Sequence, residues 1–196
     1  QQRMLLEATW EALEGAGVAP FTLRNTNTTV SIGACNFDFG IISQGLPTPF
    51  SVTGSMTSSI SGRISYILGL NGSSIVVDTA CSSSLVAASF GLHSVGSAES
   101  DIAIVGGTQV ILTSNRTVDL CQMKALSPAG LCKTFDSNAD GFARGEGVGV
   151  LILEQGKLNV ELRSIGINHD GGGVHFTAPH GPAQEAVYAA ALRRAG

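Results

Sequence analysis

The chain is short of charge. Only 13% of its 196 residues are Asp, Glu, Lys or Arg, while 43% are hydrophobic; an ordinary soluble domain carries about 25% charged residues. A disordered or heavily solvated chain shows the reverse balance and is excluded. So little charge points to a surface covered by further chain or by another subunit. There is no basic field either. The formal net charge is −4, so capture of nucleic acid or of an acidic lipid surface is not expected. Apolar runs are short: Val148–Leu153, with one glycine in it, is far below the roughly 18 residues of a membrane span. Cys35, Cys81, Cys121 and Cys132 form no CxxC pair and no regular spacing. A domain of this length needs no covalent staples, so they read as reduced thiols. No repeat, charge block or linker divides the chain. The glycosylation-type triplets at Asn27, Asn71 and Asn115 carry little weight without secretion. Gln1 stands inside a helical pattern without an initiator methionine, so the absence of a leader is uninformative.

What is present is an alternation of helical and strand patterns. Leu6, Trp10 and Leu13 recur at helical spacing over 1–17, with Gly15 and Gly17 placed for a left-handed cap. Val30–Cys35 alternates as a strand, and Ser43–Pro49 reads as a loop. Ile60, Ile64 and Ile67/Leu68 share a face of a helix over Met56–Leu70 that stops at Asn71-Gly72. Ile75–Val77 reads as a short buried strand, and Leu85, Ala88/Ser89 and Leu92 as the stripe of the helix after it. Ile102–Val105 reads as a buried strand closed by Gly106-Gly107. Gly147–Leu153 and Leu158–Ile167 are further strand candidates, and Ala183–Ala195 is a helix behind Pro182. Strands apolar on both sides, alternating with helices, predict a layered α/β fold around a mixed sheet.

One residue carries chemistry in this pattern. Cys81 sits where the strand ending near Val77 turns into the helix that begins near Ser82. A sulfur there faces the unpaired N–H groups and positive end of the helix, which favours the nucleophilic thiolate. Ala80 and Ser82–Ser84 are small enough to admit a substrate, and their N–H groups are candidate donors to a thioester oxyanion. The plain alternative, a buried structural cysteine, is the commoner fate of a lone cysteine.

The neighbourhood decides between them. Asp78-Thr79-Ala80-Cys81-Ser82-Ser83-Ser84-Leu85-Val86-Ala87 resembles the active-site signature of the β-ketoacyl synthase family, specifically the ketosynthase domains of type I polyketide synthases. The resemblance extends over essentially the whole chain. It takes in Gln1-Gln2-Arg3 with Trp10–Glu14, Thr53-Gly54 with Ser61–Tyr66, and Leu126-Ser127-Pro128. Cys132–Asp136, Asp140–Gly147, Thr177-Ala178-Pro179 and Gly181–Gln184 then follow in the family's order. The triple serine after the cysteine is less common in fatty-acid condensing enzymes and favours the polyketide branch. The alternatives are a fatty-acid-type β-ketoacyl-[acyl carrier protein] synthase and a non-condensing dimerisation subunit. A cysteine hydrolase would need a nearby histidine.

The resemblance implies the thiolase-like α/β/α/β/α fold, of which residues 1–196 would supply the N-terminal portion. They would form an incomplete ketosynthase domain lacking its extreme N-terminus and its C-terminal half. It also implies that Cys81 accepts an acyl chain from coenzyme A or from the phosphopantetheine arm of an acyl carrier protein, with no cofactor or metal held by this segment. In the family two histidines then assist decarboxylation of a malonyl-type extender. Their histidine-glycine-threonine and asparagine-glycine-histidine motifs are absent from 1–196, so this segment alone should not elongate a chain. A homodimer joined through the Ser74–Thr79 strand, with Met56 near an acyl tunnel, and a cytoplasmic location are implied as well.

The four histidines do not replace the missing pair. His93 stands twelve residues beyond Cys81 on one helix, about 18 Å along its axis. His169, His175 and His180 replace the family's usual glutamine, glycine and asparagine, and the glycine-rich run between them is a poor metal frame. Arg144 and Glu146 are expected to form an ion pair in a structural loop, and Lys133 and Asp136 to be structural too. Gly145, Gly147 and Gly149 precede a strand with no helix after them, which excludes a dinucleotide turn. The stretch Gln155–Leu158 looks shorter than the family's usual connection.

Overall fold

The computed structural model describes residues 1–35, 38–43, 47–156, 160–172 and 174–196. A four-stranded sheet in the order β2-β1-β3-β4 forms its centre. The strands are β1 (Thr29–Gly33), β2 (Ser74–Val77), β3 (Ile102–Gln109) and β4 (Gly147–Glu154). β1 runs parallel to β2 and β3, and β4 returns antiparallel along β3. The helices are α1 (Gln2–Gly15), α2 (Asp38–Ile42), α3 (Ser51–Ser55), α4 (Ser59–Leu68), α5 (Ser83–Gly96), α6 (Asn115–Gln122) and α7 (Gly181–Ala195). No helix among the described residues is long and apolar enough to cross a membrane.

Strand periodicity sorts the side chains into two cores. Ile102 and Ile104 of β3, with Val148, Val150 and Ile152 of β4, pack with Leu5 and Leu13 of α1 and Ile60, Ile64 and Leu68 of α4. Ala103 and Val105 point the other way and pack with Ala88 and Val95 of α5, joined by Leu153. The described elements thus make three layers: α1 and α4, the sheet, and α5. Each fully buried Leu or Ile in the first core contributes about 1.5–3 kcal/mol, and that core holds the larger side chains.

The second interface is built differently from the sequence expectation. Leu85, expected on the buried stripe of α5, is 65% exposed. The face that α5 buries is Ser83, Ala87, Ala88, Gly91, Ser94 and Val95. Steric contact explains the choice. A Cβ on Gly91 would collide with Val105 Cγ2, and one on Gly107 would stand 2.9 Å from Ser84 Cβ. Gly33 is tighter still, since its Cβ would lie 2.5 Å from the backbone of Ser83 and Ser84. The helix lies flush on the sheet because small residues allow it to. For the same reason β3 does not stop at Gly106-Gly107: both are strand residues under a neighbouring element.

Other boundaries shift for local reasons. The left-handed turn after α1 falls at Gly17 (φ +71°), and α4 ends at Gly69 (φ +68°) rather than at Asn71-Gly72. The start of the expected Met56–Leu70 helix is a turn, preceded by the separate helix α3. β2 is an edge strand, exposed to half-buried, not a buried one. Pro182 lies inside the first turn of α7, where its missing N–H costs nothing. Of the expected Leu158–Ile167 strand, 158 and 159 lie outside the described residues, and 160–167 form no strand. This stretch follows α7 instead: Ser164 Oγ donates to Ala191 O (2.6 Å) and Arg194 Nη1 to Ile165 O (3.2 Å). Residues 44–46 of the expected loop and 157–158 of the short connection also lie outside the described residues.

A buried trio of hydroxyls ties the far end of α5 to the sheet. Thr29 Oγ1 at the start of β1 lies 2.8 Å from Ser94 Oγ and 2.7 Å from Ser100 Oγ. Substitution of Gly33 tests the flush packing at the other end. Gly33→Ala is expected to destabilise the fold by about 1–3 kcal/mol, the range for overpacking, seen as a lower urea midpoint. An unchanged midpoint would show that β1 and α5 can separate without cost.

Candidate functional site

β2 delivers the chain to the turn that carries Cys81. Its last residue, Val77, is followed by Asp78 and Thr79, and a single helical turn over Ala80–Ser82 leads into α5. Ala80 holds a left-handed backbone, φ +54°, where a residue with a Cβ is strained. Short hydrogen bonds keep it there. Asp78 Oδ1 accepts the Ala80 N–H (3.0 Å), and Ser83 Oγ donates to Ala80 O (2.7 Å) while accepting the Thr79 N–H (2.9 Å). Ser82 Oγ donates to Thr79 O at 2.8 Å. This reversal lifts Cys81 to the surface, where its residue is exposed, directly before the positive end of α5.

The same bonds revise one expectation. The small residues of the turn are expected from the sequence to offer N–H groups to an oxyanion. Those of Ala80, Ser82 and Ser83 are instead committed to Asp78 Oδ1, Thr79 O and Ala80 O. These three build the turn.

Cys81 opens into a cavity of about 1190 Å³. Part of the wall comes from α6 and its C-terminal continuation, through Arg116, Leu120 and Met123, and from Phe142. The sequence pattern assigns none of these four a role. Cys35, just beyond β1, shares the cavity with Cys81. Burial, then the negative charge of Asp78, then that of Cys81, pushes the Cys35 thiol above the ordinary cysteine value, and the Arg116 guanidinium opposes the rise. The two thiols therefore differ in surroundings: one is exposed before a helix, the other half-buried beside a carboxylate.

The expected Arg144–Glu146 ion pair does not form. Arg144 Nη1 donates to Thr117 Oγ1 at 2.5 Å, and Glu146 Oε1 accepts the Ile111 N–H at 2.6 Å. Both side chains turn toward the approach to α6 rather than toward each other. Lys133 pairs with Asp140 at 2.7 Å and holds that carboxyl below the usual carboxylate range. Asp136 Oδ1 accepts the N–H of Asn138 and closes a turn. His93 occupies the last turn of α5, away from the cavity lining. His169 Nδ1 accepts the Gly171 N–H, and Asp170 Oδ2 accepts the His180 N–H. These contacts shape the approach to α7. Met56 is exposed and lies outside the cavity lining.

Residues 1–158 match the family model described as "Beta-ketoacyl synthase, N-terminal domain". The chain is 41% identical to a phenolphthiocerol/phthiocerol polyketide synthase of Mycobacterium tuberculosis, over 98% of this chain and 9% of that protein. It is 42% identical to the mycoketide-CoA synthase of the same organism, over 100% of this chain and 5% of that protein. Among solved structures, the ketosynthase from module 6 of the Bacillus subtilis bacillaene synthase superposes with a TM-score of 0.90 at 32% identity. That match covers 98% of this chain and 35% of the other. A Streptomyces albus oxazolomycin ketosynthase domain gives 0.91 at 28% identity, covering 100% and 36%. The chain therefore spans 9% or less of these two curated relatives and about a third of the solved domains.

The contrast between the two cavity thiols is open to measurement. With its proton held more tightly, Cys35 is less ionised than an ordinary thiol at any given pH, so its alkylation by iodoacetamide should rise only at more alkaline pH. Asp78→Asn removes a neighbouring negative charge and should shift that profile toward neutral pH. A Cys35 profile that the Asn variant leaves in place would remove the carboxylate from the account.

Proposed function

The chain belongs to the β-ketoacyl synthase family, and on that premise we propose that it is the acyl-accepting portion of a polyketide synthase ketosynthase, with Cys81 as the acceptor. The observation that carries this reading is the placement of Cys81: exposed, on a strained turn, before a helix N-terminus, at the edge of a large cavity. A structural cysteine would be buried and would need none of these features. The thiolase-like layering, of which this chain has the first sheet and its two helical faces, supports the same conclusion.

In the proposed step the Cys81 thiolate attacks the carbonyl carbon of an acyl thioester. A new carbon–sulfur bond forms, the bond to the carrier sulfur breaks, and the proton given up by Cys81 ends on the released carrier thiol. One thioester replaces another, so the exchange is close to thermoneutral and needs an activated sulfur more than a strong driving force. The carrier is the phosphopantetheine arm of an acyl carrier protein, or coenzyme A. In the parent protein a malonyl-type extender then loses CO2, and the resulting carbanion attacks the acyl carbon on Cys81; the new carbon–carbon bond replaces the carbon–sulfur bond and Cys81 leaves as the thiolate, which makes the parent an acyltransferase that forms carbon–carbon bonds. The groups assisting that decarboxylation belong to the parts of the domain outside this chain. The coverage of about a third of each solved ketosynthase supports this division, and residues 1–196 alone should not elongate.

A homodimer and a cytoplasmic location belong to the same reading. Among the described residues β2 stands at the edge of the sheet with one side of its backbone ladder open, a fit for the same strand of a second copy. The exposed thiols of Cys81, Cys121 and Cys132 suit a reducing compartment.

Acylation of Cys81 is the direct test. Incubation with an acyl N-acetylcysteamine thioester should add one acyl mass to the Cys81 peptide, stable over minutes, and Cys81→Ala should abolish it. Rapid release of free acid would instead indicate a hydrolase. Acyl mass retained in the alanine variant would move the acceptor elsewhere.

A further inference from the structure

One wall of the Cys81 cavity hangs on two carboxylates, the buried Asp38 and the exposed Glu146, which itself lines the cavity. After β3 the chain enters a short segment before α6, and three successive backbone N–H groups there end on side-chain oxygens. Ile111 donates to Glu146 Oε1 (2.6 Å), and Leu112 and Thr113 both donate to Asp38 Oδ2 (3.0 and 3.1 Å). Arg144, two residues before Glu146, donates to Thr117 in the first turn of α6. The approach to α6 is therefore fastened from two sides, by α2 and by the irregular segment leading into β4.

Asp38 is 4% exposed. A carboxylate so buried is costly unless hydrogen bonds replace its water, and bonds to an ionised acceptor are the strong kind. Neither Asp38 nor Glu146 belongs to the apolar clusters that hold the sheet and helices together. What they hold is the segment that carries Arg116, Leu120 and Met123 into the cavity. α6 buries no residue of its own, so packing does little to fix it.

We propose that Asp38 and Glu146 are positioning residues for acyl transfer to Cys81: by fastening residues 111–113 they fix the α6 wall of the cavity and so set which acyl groups the thiol accepts. This rests on the acyl-acceptor reading of Cys81. Loosening the wall changes the room available to a long chain more than to a short one, while the sulfur, held by β2 and α5, keeps its own reactivity.

The experiment uses the synthase protein that carries this chain. Butyryl and dodecanoyl N-acetylcysteamine thioesters compete for Cys81, and the ratio of the two acyl peptides is read by mass spectrometry. Asp38→Ala, which loses two hydrogen bonds, and Glu146→Ala, which loses one, are each expected to move that ratio by about 3-fold or more. Asp38→Asn and Glu146→Gln, which keep an acceptor oxygen, should restore it to within about twofold. The rate of Cys81 alkylation by iodoacetamide should stay at the parent value in Asp38→Ala. Hydrogen exchange at the amides of Ile111–Thr113 should quicken in both alanine variants. An unmoved ratio in folded variants overturns the proposal, and so does a loss of acylation matched by an equal loss of alkylation, which marks collapse of the whole site. If the parent protein takes no acyl group on Cys81, the acyl-acceptor reading fails on its own. In that case quickened exchange supports the fastening of the wall, and unchanged exchange overturns it as well.

Discussion

Helix α5 lies against β1 and β3 at a separation that requires glycine at Gly33, Gly91 and Gly107 and small side chains at most of its other buried positions. Gly33 and Gly107 of the sheet and Gly91 of the helix leave no room for a Cβ, and Ala87, Ala88 and Ser83 fill what remains. Packing of this kind gains little from the size of each buried group but fixes position closely, because any added methyl meets backbone or a neighbouring side chain. The turn that carries Cys81 inherits that precision. Cys81 is placed by β2 behind it and by the seating of α5 ahead of it, and the strain at Ala80 persists because both neighbours are held.

The segment from Cys132 to Gly147 shows how a family signature ties separate stretches of chain together while lining the cavity. Lys133 and Asp140 pair across it, Cys132 Sγ accepts the Ala143 N–H at 3.1 Å, and Arg144 and Glu146 reach out to the approach of α6. Each contact anchors one piece of chain to another. The segment then becomes β4, the antiparallel strand that extends the sheet beyond β3. A single stretch thus finishes the sheet and braces the cavity.

The layered α/β pattern, the principal helices and strands, and the turn bearing Cys81 were legible in the residues, because apolar periodicity and small-residue clusters are local signals. The buried face of α5 was not. Leu85 and Leu92 form the more apolar stripe, yet the sheet selects the smaller residues, a choice that depends on Gly33, Val105 and Gly107 far away in the chain. The same limit hid α6, eight residues with few apolar side chains, and with it that part of the cavity wall. Arg144 and Glu146 looked like natural partners by proximity and charge. Their true partners, Thr117 and Ile111, are 27 and 35 residues away. The buried Asp38 carries no sequence signal, because a lone acidic residue opening a five-residue helix means nothing until the amides of Leu112 and Thr113 meet it.

The hydroxyl trio of Thr29, Ser94 and Ser100 sits at the opposite end of α5 from the sulfur. An α-helix is stiff along its axis, so a slip of one residue at Ser94 would carry the other end about 1.5 Å with it. The depth at which the thiol presents itself therefore depends on three oxygens at the far end of the helix. Swapping the turn alone into another scaffold would leave those three oxygens behind.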